Sequence, residues 1–138
     1  MQRRFPLVAR TAIAAAMLVL VAPIAIVAQG GKAEPLRIAF KRGAYSAAIS
    51  ESVSGDEEAE YVLAAQKGQR MTIKLISVPD KSSAFELFGE DHDTLGLQRD
   101  ASFSYSGVLP ETGDYFITVK RSTKGKGTSR YRLVVTVR

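Results

Sequence analysis

Four basic residues, Arg121, Lys124, Lys126 and Arg130, fall in one short stretch, with Lys120 at its mouth and no acid among them. Such a cluster does no covalent chemistry by itself. It attracts anions and orients an encounter with an acidic partner. Gly125 and Gly127 lie inside it. They would suit a phosphate cradle, but no helical pattern follows to present a row of N–H groups, so a flexible hairpin tip is expected. The other chemistry-bearing residues are sparser. Glu57, Glu58 and Glu60 could form a carboxylate pair for glycoside hydrolysis. They sit in an acidic turn with no apolar pocket beside them to raise a pKa. Asp91-His92-Asp93 with Gly96 has the start of a calcium loop, but Ser102 stands where the closing Glu belongs. Ser104-Tyr105-Ser106-Gly107 is a strand end, not a nucleophile elbow. His92 is the single histidine and cysteine is absent. Thiolate and polyhistidine metal sites are therefore excluded, and no metal or other cofactor is expected. Nothing in these residues supports an enzyme.

The elements that must carry the basic stretch alternate with period two. Tyr115, Ile117 and Val119 point one way, and Phe116, Thr118 and Lys120 the other. Leu109-Pro110-Glu111-Thr112-Gly113 supplies turn chemistry before that strand. Tyr131, Leu133, Val135 and Val137 share a face of the strand after the basic stretch. Earlier strands are expected over 36–40, 47–53 (near an edge), 60–65, 70–77, 84–88 and 102–109. Turn signals at short intervals and no helical period after residue 35 predict an all-β fold: an antiparallel β-sandwich of about eight strands. The expected core is Phe40, Tyr61, Leu63, Met71, Ile73, Leu75, Phe85, Leu87, Tyr115, Ile117, Val119, Tyr131, Leu133 and Val135.

The chain has 138 residues and a formal charge of +5. Arg3, Arg4 and Arg10 precede an uncharged apolar run to Ala28 that contains Pro23 and ends in small residues. Residues 1–30 therefore read as a cleavable signal peptide, and 31–138 as one β-sandwich domain. An uncleaved leader would make an N-terminal anchor instead. Without the leader, 16 basic residues face 14 acidic ones. That balance argues against a nucleic-acid partner. A periplasmic or secreted location is expected, with no stable membrane association once the leader is gone; monomer and homodimer both remain open. If successive strands simply reverse, the connections at 41–45, 67–70 and 121–130 share a basic end. Those at 55–58, 79–81 and 111–114 then share an acidic one.

Four motifs carry a resemblance. They are Phe40-x-x-Gly43-x-x-Ser46-Ala47, Tyr61-x-x-x-Ala65-x-Lys67-Gly68-Gln69, Leu109-Pro110-x-x-Gly113-x-Tyr115-x-Ile117-x-Val119 and Tyr131-x-Leu133-x-Val135. Together they resemble the bacterial periplasmic inhibitors of g-type (goose-type) lysozyme. They are also similar to pre-peptidase C-terminal β-sandwich domains. The resemblance spans Leu36 to Val137. It implies a secreted sandwich that blocks a muramidase by inserting loops into the cleft, where a catalytic carboxylate would meet cationic residues. By that logic Arg121, Lys124, Lys126 and Arg130 are the partner-binding residues, with Tyr45 as an aromatic contact. The alternative is a non-catalytic glycan- or envelope-binding module, for which Phe103, Tyr105 and Phe116 are the aromatic candidates.

Overall fold

The computed structural model describes residues 34–91, 102–122 and 126–138. All of them fall in one compact unit, Lys32–Arg138. The expected leader, His92 and Lys124 lie outside the described residues.

The described residues are all-β, with eight strands in two four-stranded sheets. One sheet orders β1 (Leu36–Arg37), β3 (Glu58–Ala65), β7 (Gly113–Arg121) and β5 (Ser83–Phe88). The other orders β2 (Ser46–Ser54), β8 (Thr128–Val137), β4 (Arg70–Val78) and β6 (Ser104–Val108). Odd strands make one sheet and even strands the other, so every connection crosses between sheets. The pairing is antiparallel except that β1 runs parallel to β3, with Leu36 opposite Tyr61. The strand expected over 36–40 is thus only two residues long, although Ile38 N–H still bonds Val62 C=O at 2.8 Å.

Alternation drives the core. Met71, Ile73 and Leu75 of β4 are buried between exposed Arg70, Lys74 and Ile76. They meet the inward residues of β7 and β3 from the facing sheet in one cluster. Every expected core residue is buried except Phe40, which packs against the cluster's rim. Val53, Leu109 and Val137 join it. Each large side chain fully buried contributes about 1.5–3 kcal/mol against the ordering entropy of the chain.

Several turns need a backbone that side chains disfavour. Gly55 (φ +57°) and Gly68 (φ +88°) sit in the left-handed region where a Cβ is strained. At the start of β7, the Tyr115 hydroxyl donates to Glu111 C=O (2.5 Å) and accepts from Glu111 N–H (3.3 Å). This tyrosine corner fixes the turn that Pro110 opens. Arg37 holds Asp114 across the β1–β3–β7 surface with two hydrogen bonds of 3.2 and 2.9 Å. The hydrogen bond from Arg37 and its charge hold the Asp114 carboxyl below its usual range.

Candidate functional site

Connections gather at the two ends of the sandwich. At one end, Tyr45 C=O accepts from Val137 N–H (2.8 Å), Gly68 N–H donates to Leu109 C=O (2.9 Å), and Lys67 N–H donates to the Thr112 hydroxyl (2.9 Å). The β1–β2, β3–β4 and β6–β7 connections therefore lie together there. At the other end, Gly55 N–H donates to Gly127 C=O and Ser122 N–H to Ser82 C=O, both at 3.0 Å. That end holds the β2–β3, β4–β5 and β7–β8 connections.

This overturns two of the six placements in the expected charge layout. The connections at 41–45 and 67–70 do share an end, and those at 55–58 and 79–81 share the other. The basic β7–β8 connection, however, sits beside the acidic turn, and 111–114 sits at the Tyr45 end. The reason is directional. β5 starts beside Arg121, and β6 ends beside Arg70, so both strands run the same way. Strict reversal therefore loses a step between β5 and β6. A second correction follows from the sheet order. β7 and β8 lie in different sheets, so their connection is an arch across the sandwich and not a hairpin. Sheets packed about 10 Å apart are spanned by a short loop as easily as a hairpin is closed.

The arch runs over 122–127, shorter than the expected 121–130, because β7 continues through Arg121 and β8 begins at Thr128. It stands on a cluster of serines. Ser129 Oγ lies 2.5 Å from both Ser82 Oγ and Ser83 Oγ, and the Ser77 hydroxyl accepts from Ser83 N–H at 3.2 Å. Ser83 and Ser129 are fully buried, so these bonds hold their hydroxyls in place of water. Ser122 Oγ also donates to Lys81 C=O. Lys126 stands exposed on the arch. The Arg121 guanidinium lies back against Gly127, where an added Cβ would come within 3.2 Å of Nη2. Arg121 also lines a cleft with Asp56, Glu57 and Glu58 of the neighbouring turn. Lys120 does not point into the arch; its Nζ meets Glu86 Oε1 at 2.5 Å on the outer surface of β5–β7.

Arg121 and Lys126 are therefore brought together at one end. Arg130 is on β8 itself, exposed on the outer face of its sheet. Tyr45 is at the opposite end, exposed, with the Arg138 guanidinium 5.9 Å from its ring centroid. The three aromatics considered for glycan stacking share no face. Phe103 and Tyr105 are at β6, an edge of the even sheet, and Tyr105 packs partly into the core. Phe116 lies half-buried on the other sheet, between Val62 and Phe88.

A further feature escaped sequence reasoning. The hydroxyls of Tyr61 and Tyr131, from facing sheets, meet at 2.5 Å inside the core. Burial raises both pKa values, Tyr131 the more strongly, and Glu51 nearby raises them further. The pair floors an open recess whose rim includes Glu34, Glu51, Asp56, Glu58 and Glu60. Among the described residues no group of acids, histidines or cysteines is arranged to hold a metal ion.

The fold places this chain beside solved structures of known proteins. A periplasmic lysozyme inhibitor of g-type lysozyme from Aeromonas hydrophila superposes with a TM-score of 0.66 and 25% identity, over 75% of this chain and 96% of the inhibitor. The inhibitor from Salmonella Typhimurium matches at TM-score 0.61 and 22% identity, over 78% of this chain and all of its own. The pre-peptidase C-terminal domain of a Bacillus anthracis collagenase shares the fold at TM-score 0.54 and 14% identity, covering 98% of that domain. The chain is thus structurally similar to both groups that its motifs resemble. No protein-family model matches the sequence, and no curated protein matches it either.

Proposed function

We propose that this chain is an exported, non-catalytic inhibitor of g-type lysozyme, acting in the periplasm after residues 1–30 are removed from a domain spanning 31–138. The observation that carries the reading is the likeness to the Aeromonas hydrophila inhibitor over almost all of that protein's length. A shared fold alone would be weaker support, since one sandwich serves many functions.

The β7–β8 arch is the contacting element in this proposal. A muramidase cleft must keep a catalytic carboxylate. Lys126 on the exposed arch supplies a cation for it, Lys124 adds a second, and Arg121 steadies the base. Both feet of the arch are tied, through Ser122 to Ser82 and through Gly127 to Gly55. Arg130 extends the cationic surface from the arch onto the sheet. Tyr45 belongs to the other end, so it contacts the enzyme only if that end docks instead.

Calorimetric titration of a g-type lysozyme with the chain from Lys32 onward is expected to give one-to-one binding that weakens as salt rises. Absence of a complex at micromolar concentrations of both proteins would overturn the proposal.

A further inference from the structure

The outer face of the β2–β8–β4–β6 sheet has an unusual distribution of charge. Its outward positions are the even-numbered ones. On the two central strands these include Arg130 and Arg132 of β8 and Arg70 and Lys74 of β4, all exposed. On the two flanking strands they are only serine, alanine and valine: Ser46, Ala48, Ser50, Ser52 and Ser54 of β2, and Ser104, Ser106 and Val108 of β6. No outward position of the four strands carries a carboxylate. The other sheet is different. Its outward residues include Glu58, Glu60, Glu86 and Asp114, with Lys120 and Arg37 engaged by Glu86 and Asp114. The charge asymmetry of the domain therefore runs from face to face.

The register makes the cations a track. Arg130 lies opposite Val78, Arg132 opposite Ile76, and Val134 opposite Lys74. Arg70 closes the track beside Arg138, with two backbone hydrogen bonds between them (2.8 and 3.1 Å). At ~3.4 Å per residue the track is about 27 Å long. Small residues of β2 and β6 flank it. Ile76 and Val78, each 58% exposed, stand next to Arg132 and Arg130. Two exposed aliphatics set among charges of one sign suit a partner whose surface is both anionic and apolar.

We infer that this face docks reversibly on an anionic phospholipid bilayer. Phosphate headgroups match the cations. Ile76 and Val78 would enter the headgroup–acyl boundary. A soluble polyanion would use the charges but leave the two aliphatics without a role. The contact has no anchor, so it is distinct from retention by an uncleaved leader. It shares only Arg130 with the inhibitor proposal, which otherwise uses the arch; Arg132, Arg70, Lys74, Ile76 and Val78 belong to the sheet face alone.

The test is co-sedimentation of the chain from Lys32 onward, the compact unit that contains both sheets and the core. The vesicles are phosphatidylglycerol with phosphatidylcholine, and phosphatidylcholine alone. Binding to the mixed vesicles only, lost at high salt, is expected. Each cation removed should weaken it about fivefold, the equivalent of about 1 kcal/mol. Arg130→Gln/Arg132→Gln/Lys74→Gln should then bind about 100-fold more weakly. Lys41→Gln/Arg42→Gln/Lys67→Gln, with the same net charge but altered at the Tyr45 end, should bind like wild type. Ile76→Ser/Val78→Ser should weaken binding with the charges intact. Far-UV circular dichroism confirms that each variant is folded. Three results would overturn the inference: no binding to anionic vesicles, equal loss in both triple variants, or undiminished binding by Ile76→Ser/Val78→Ser together with full competition by soluble polyphosphate.

Discussion

Removing one hydroxyl from the Tyr61–Tyr131 pair should cost more than removing both. The two oxygens lie 2.5 Å apart, and each residue is only 3% exposed. Tyr131→Phe takes away the hydrogen bond and leaves the Tyr61 hydroxyl in the core without its partner. A lost neutral hydrogen bond is worth about 0.5–1.5 kcal/mol, and a stranded buried hydroxyl about 1–3 kcal/mol. The adjoining recess lowers the second figure, because both tyrosines line it and water can approach from there. We expect about 1–2 kcal/mol for either single variant. At roughly 4–5 °C per kcal/mol for a domain of this size, Tm should fall by about 4–10 °C. The double variant strands nothing and keeps both rings, so it should lie within about 1 kcal/mol of wild type. Urea melts followed by far-UV circular dichroism give the four corners of the cycle, and a coupling of about 2–3 kcal/mol is expected. Additive single effects, with the double variant as unstable as their sum, would show that the hydroxyls do not depend on each other.

The same pair should set an alkaline limit. Burial raises both tyrosine pKa values in the folded state above the ordinary value near 10. The folded protein then holds these protons where the unfolded chain has released them. Their contribution is complete below about pH 10 and is lost as pH rises beyond it. Tyr61→Phe/Tyr131→Phe should flatten that loss in melts at pH 9 to 11, and an unchanged slope would contradict the assignment. Gly68→Ala forces a Cβ into a turn at φ +88° and should cost about 1 kcal/mol in the same melts; a neutral effect would mean the turn readjusts. Lys126→Glu should weaken g-type lysozyme binding at least tenfold while Tyr45→Ala changes it little. The reverse ranking, measured by calorimetry, would move the interface to the Tyr45 end.

The strands were legible because their burial is one-sided. Ile117 and Val119, or Met71 and Ile73, alternate with polar neighbours, and the buried set follows from that period alone. The pairing was harder to read. A short connection such as 122–127 can close a hairpin or arch between sheets, and the residues inside it do not decide which. The end-to-end charge layout failed for a related reason: β5 and β6 run the same way, and nothing local to either strand announces it. The Tyr61–Tyr131 contact depends on the register of two sheets against each other, which no sequence period encodes. By contrast, the cationic face was available in the pattern. Assigning Tyr131 and Leu133 inward already sends Arg130 and Arg132 outward. Reading Arg130 as a loop charge hid the track it forms with Arg132, Lys74 and Arg70.

Lysis of a peptidoglycan suspension tests the central proposal most directly. Turbidity is followed with a g-type lysozyme and with a chicken-type lysozyme, each with and without the purified chain from Lys32 onward. The account expects inhibition of the g-type enzyme alone, complete near one equivalent and relieved by Lys126→Glu. Unimpeded lysis by the g-type enzyme at micromolar excess of the chain would contradict it, leaving a shared sandwich without the shared activity.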